Sequence, residues 1–80
     1  MDKFTPANLG DLRVGDRVER LLPGATPMVL EVTALDDDFV YCGDWTFVRA
    51  TGGEYDPDLG WDGIAHTGSY ISRVVERRSR

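Results

Sequence analysis

A turn signal interrupts this chain every eight to ten residues, and that spacing limits what it can become. Gly15-Asp16, Pro23-Gly24, the aspartates at 36–38, Gly43-Asp44, Gly52-Gly53, Pro57-Asp58, Gly60, Gly63 and Gly68 punctuate it. Between them lie short segments rich in Val, Thr, Tyr, Phe, Trp and Ile, the residues that suit a pleated, half-buried surface. No window sustains apolar residues at i, i+3, i+4 and i+7, so no long helix is expected. The pattern reads as all-β: about five to six antiparallel strands in a small sandwich or barrel.

The strands can be placed from alternation. Residues 17–22 form the first. Residues 28–35 form the second, with Met28, Leu30 and Val32 inward because Glu31 and Thr33 mark the other face as polar. The acidic run at 36–38 turns the chain into a third strand at 39–42. Aspartate tolerates turn geometry and bonds its own backbone, so the run is explained as a turn. Residues 45–49 and 54–56 form a hairpin whose loop needs positive φ at Gly52 or Gly53. Trp45 and Phe47 share a face of it, and residues 68–75 close the fold.

Eighty residues make one domain, and a chain of that size buries only about 60–65 % of its unfolded surface. The expected domain is residues 1–80, with 1–10 and 76–80 as poorly ordered tails. No apolar run approaches the roughly 18–20 residues of a membrane span. The start, MDKFTPANLGDL, lacks the basic and apolar regions of a signal peptide. The single cysteine, Cys42, leaves no internal disulfide, so a reducing, cytoplasmic setting is expected.

Charge is uneven. The net charge is −5, from 14 acids and 9 bases. From Glu31 to His66 there are nine acids against one base, Arg49, whereas the end of the chain carries Arg73, Arg77, Arg78 and Arg80. The acidic body opposes nucleic-acid phosphate, whose neutralisation supplies most non-specific affinity. Only the basic tail offers a nucleic-acid surface.

The order Gly15-Asp16-x-Val18, Gly24…Pro27-Met28-Val29…Val32, then Val40-x-Cys42…Trp45 resembles the YodC-like small bacterial proteins, a family of unknown function. The resemblance covers about residues 12–47. It implies a cytoplasmic SH3-like barrel and brings no catalytic residues. The chain departs from the pattern in Ala25-Thr26 and in the stretch TGGEYDPDLGWDG at 51–63. A Gly-Asp before the first strand is also similar to KOW-type barrels of translation and transcription factors, which is analogy of fold alone.

Reaction chemistry finds little to work with. Asp56, Asp58, Gly60 and Asp62 alternate as in a calcium loop, but Trp61 stands where an EF-hand requires glycine and Thr67 where it requires glutamate. One Cys and one His fall short of a structural zinc site. The one nucleophile–base pair, Cys42 with His66, sets a mid-strand thiol against a loop histidine. The glycine-rich 52–63 stretch lacks the lysine and the strand–loop–helix setting of a phosphate loop. No catalytic residue, metal or cofactor is assigned.

Aromatics remain: Tyr41, Trp45, Tyr55, Trp61 and Tyr70. Large aromatics fill small cores, yet SH3-like barrels also grip extended segments with exposed ones. An aromatic and acidic surface of Tyr41, Trp45, Tyr55, Trp61, Asp58 and Asp62 would suit a basic segment of a partner protein, with Trp61 the more exposed tryptophan. The reading is a non-enzymatic protein-interaction or accessory module, monomer or weak homodimer, with residues 54–56 as an open edge between copies. The alternative is a KOW-like nucleic-acid or ribosome-associated factor using Arg73, Arg77, Arg78 and Arg80.

Overall fold

Where the turn residues fall, the backbone reverses, and eight short strands occupy the described segments between. The computed structural model describes residues 9–63 and 68–78. The strands are β1 (Arg17–Leu21), β2 (Met28–Glu31), β3 (Ala34–Leu35), β4 (Phe39–Cys42), β5 (Trp45–Val48), β6 (Tyr55–Asp56), β7 (Trp61–Asp62) and β8 (Tyr70–Glu76). Single 3-10 turns at Leu9–Asp11 and Pro57–Leu59 are the helical elements among these residues. The all-β class follows. The antiparallel ladders form three sheets, β2–β1–β8, β3–β4–β5 and β6–β7, that do not close into one continuous barrel ladder.

The expected second strand is split, and hydrogen bonding gives the reason. The Val32 N–H donates to the Asp16 carbonyl at 2.8 Å and its own carbonyl accepts from Gly15 at 2.9 Å. The next residue, Thr33, donates instead to Tyr41 at 2.8 Å. The chain passes from one sheet to the other within one residue, and the inward phase slips with it. Leu30 and Val32 are buried, then Leu35 packs against the core while Ala34 is exposed. Met28, expected inward, is 39 % exposed at the first residue of β2, where it opposes Arg20.

Strand β8 carries two irregularities against β1. Val18 faces Val74 and Arg20 faces Ile71, so the register shifts twice along the pair. Such bulges bend and twist a strand, and here they let the longest strand curl over the core. That core is Leu9, Leu12, Val18, Leu30, Val32, Val40, Cys42, Phe47 and Ile71. Each large member contributes about 1.5–3 kcal/mol by leaving water, which offsets the ordering of a short chain. Leu9 belongs to this core, and Glu76 ends β8, so the parts of the expected tails that are described make defined contacts. Residues 1–8 and 79–80 lie outside the described residues.

Residues 42–61 form the expected hairpin with a folded exit. Val48 donates to Gly53 at 2.8 Å, and Gly52 takes the positive φ of the loop, 79°. Gly53 is needed for another reason. A Cβ there would lie 2.6 Å from the Gly63 carbonyl oxygen, so the two backbones touch where neither residue has a side chain. Residues 54–56, expected as an open edge, are engaged on both sides: Glu54 bridges to Phe47, and Tyr55 and Asp56 pair with Asp62 and Trp61.

Candidate interaction face

Strand pairing sorts the aromatic residues onto two faces. In the β4–β5 ladder Val40 opposes Phe47 and Cys42 opposes Trp45. These four form the inner face, so Phe39 and Tyr41, at the intervening positions, point outward. The Phe39 ring lies 6.1 Å from Tyr41 and 5.7 Å from Tyr55, tilted to both. The three rings form one row across β4 and β6. Tyr55, at 42 % exposure, is its open end.

Carboxylates frame the row. The Tyr41 hydroxyl donates to Asp36 Oδ2 at 2.9 Å. Asp36 Oδ1 accepts from the N–H of Asp38 at 2.8 Å and of Phe39 at 2.7 Å, the self-bonded turn expected of this acidic run. The Phe39 N–H first, then the Tyr41 hydroxyl and the Asp38 N–H, hold the Asp36 carboxyl below its ordinary range. The same bond to Asp36 raises the Tyr41 phenol. Across β6–β7, Asp62 faces Tyr55. Asp58 is exposed in the following 3-10 turn, where Asp56 Oδ1 caps the N–H groups of Asp58 at 3.1 Å and Leu59 at 3.4 Å.

Both tryptophans leave this face. Trp45 packs on the core, with the Arg20 guanidinium carbon 5.8 Å above its ring. Arg20 also reaches Glu54 at 3.2 Å and Ser69 Oγ at 3.0 Å, and Ser69 Oγ donates to Glu54. Trp61 is half-buried rather than exposed: its ring lies against Gly68, where a Cβ would overlap it. It opposes Asp56 rather than Tyr55. Of the six residues expected to share a surface, Tyr41 and Tyr55 meet through Phe39, which the sequence reading left out. The signal for it was there, since Phe39 and Tyr41 stand two apart on one strand.

The remaining candidates separate further. Cys42 is buried, and burial pushes its thiol up to about 11, which suits a core residue rather than a nucleophile. His66 lies outside the described residues, as does Arg80. Among the described residues no three His, Cys, Asp or Glu side chains are grouped to hold a metal, and no helix is long and apolar enough to cross a membrane. Arg73 pairs with Glu19 at 3.4 Å, and Arg77 approaches Asp16 at 3.8 Å. No protein-family model, no curated protein and no solved structure matches the chain.

Proposed function

We propose that the chain is a small, SH3-like barrel that works without catalysis, as an interaction module gripping a basic, extended segment of a partner protein. The barrel reading is supported by the contacts that continue where the ladders stop. Val48 bonds to Gly53, Glu54 donates to Ser69 at 2.9 Å, and Ile71 donates to Gly52 at 2.8 Å, so strand contacts run from β5 through residues 52–54 to β8. Together with the crossing at Val32 and Thr33, these contacts support a barrel-like arrangement of the three sheets.

The observation that carries the function is the Tyr41–Phe39–Tyr55 row, open at Tyr55 and bordered by Asp36 and Asp62, with Asp58 exposed in the turn after β6. Aromatic rings supply a low-entropy platform for aliphatic stems and cations, and carboxylates select basic side chains. The KOW-like alternative draws less support, because Arg73 and Arg77 already face carboxylates of their own chain. A cytoplasmic monomer or weak homodimer fits the lone, buried thiol.

Fluorescence anisotropy of a labelled, arginine- and lysine-rich peptide tests the reading. Saturable binding that weakens with salt and is lost in the F39A/Y55A variant is expected. Equal binding by that variant would sink it. So would salt-sensitive RNA binding that disappears on removing residues 77–80, which belongs to the alternative.

A further inference from the structure

Between the Leu9–Asp11 turn and the end of β8 lies a cleft of about 470 Å3, lined by residues 10–13, Asp16, Arg77 and Arg78. Small-ligand pockets span about 300–1,000 Å3. This one brings together three arginines from segments more than sixty residues apart in the chain.

Its buried charge is Asp16, 1 % exposed. Oδ1 accepts from the Arg78 N–H at 2.6 Å, Oδ2 accepts from the Arg13 N–H at 3.0 Å, and Arg77 Nη1 stands 3.8 Å from Oδ2. Burial raises the Asp16 carboxyl, but the two N–H groups and the arginine charges outweigh it and leave it below the ordinary range. Asp16 is therefore matched where it sits, and it fixes residues 77 and 78 against the turn at 13–16.

Arg13 and Arg78 are not matched. Neither guanidinium forms a hydrogen bond or ion pair with a described residue. Every other described arginine finds an oxygen: Arg17 meets Glu76, Arg20 meets Glu54, Arg73 meets Glu19, Arg77 meets Asp16, and Arg49 takes three backbone carbonyls. The Arg78 side chain lies over Gly15, where a Cβ would come within 2.4 Å of its Cδ. In a chain with 14 acids for 9 bases, two cations on one cleft thus stand without a bonded carboxylate among the described residues.

The geometry points to this cleft as a binding site for the phosphate group of a small phosphorylated ligand. Arg13 and Arg78 supply planar forks suited to its oxygens, Arg77 adds charge shared with Asp16, and Asp16 positions the set. Asp11, on the exposed rim, opposes the anion and keeps binding weak.

Calorimetric titration of the full chain with inorganic pyrophosphate at fixed ionic strength tests this. Saturable binding is expected, weakened about tenfold in R13Q and in R78Q and tightened several-fold in D11N. These three side chains are exposed, so the variants keep the fold. No saturable binding, or the same affinity in R13Q and R78Q, overturns the proposal. Equally tight acetate binding overturns it in favour of a carboxylate, and RNA binding without pyrophosphate binding overturns it in favour of a polynucleotide.

Discussion

The guanidinium of Arg20 on β1 meets the carboxylate of Glu54 at 3.2 Å across 34 residues of chain, with only 14 % and 6 % of the two side chains exposed. The guanidinium also lies over the Trp45 ring, and the pair ties the first strand to the exit of the hairpin. Removing one partner strands a buried charge and is expected to cost about 3–5 kcal/mol, whereas replacing both with apolar residues is close to neutral. Urea unfolding of E54Q, R20M and the R20M/E54L pair checks this. Additive losses in the double variant would refute the coupling.

Tyr55 and Phe39 divide stability from binding. Tyr55 is exposed, so Y55A is expected to change unfolding by no more than about 0.5 kcal/mol. Its affinity for a basic peptide is expected to fall about tenfold, because the row loses its open ring. A stable Y55A variant with undiminished peptide affinity would place the contact elsewhere.

The Tyr41–Asp36 bond gives stability two pH limits. The folded Asp36 carboxyl is lowered, so its contribution is present above the ordinary carboxylate range and lost as pH falls through the folded value. The folded Tyr41 phenol is raised, so its contribution is present below the ordinary phenol value and lost as pH rises through the folded one. Melting temperature followed from acid to alkaline pH should decline less at both ends in Y41F than in the parent.

Gly68 sets the position of Trp61. A Cβ at Gly68 would sit 2.2 Å from the Trp61 ring, so G68A must push the indole outward. A red-shifted tryptophan emission with the fold retained is the expected outcome, read beside a Trp45→Phe background that isolates Trp61. Unchanged emission would mean that the ring has room to spare.

Cys42 should resist modification. Its thiol is buried and pushed up to about 11, so an aromatic disulfide reagent at mildly alkaline pH is expected to react only as the chain unfolds. The reaction rate then tracks global opening, and rapid labelling of the folded protein would contradict the core assignment.

Strands were legible wherever alternation stayed in phase. The third strand, residues 39–42, was placed with both ends correct, since an acidic turn and a glycine bound it. The second was misjudged because a crossing between sheets depends on which neighbour supplies the hydrogen bonds to Val32 and Thr33, and no local residue type encodes that. The site fared similarly. Tyr41 and Tyr55 were singled out, but Trp45 and Trp61 were grouped with them because aromatic content does not reveal a face; pairing does. The cleft was invisible in advance, since Arg13 and Arg78 are brought near each other by the β1–β8 pairing and by their backbone bonds to Asp16.

Asp16 has one more effect. By bonding to both Arg13 and Arg78 it brings the beginning and the end of the described chain side by side, with Arg77 Nη1 also 3.5 Å from the Asp11 carbonyl. A unit whose entrance and exit are adjacent can be spliced into a surface loop of a host protein, or rejoined by a short tether and reopened at Pro23-Gly24, without redirecting either framework.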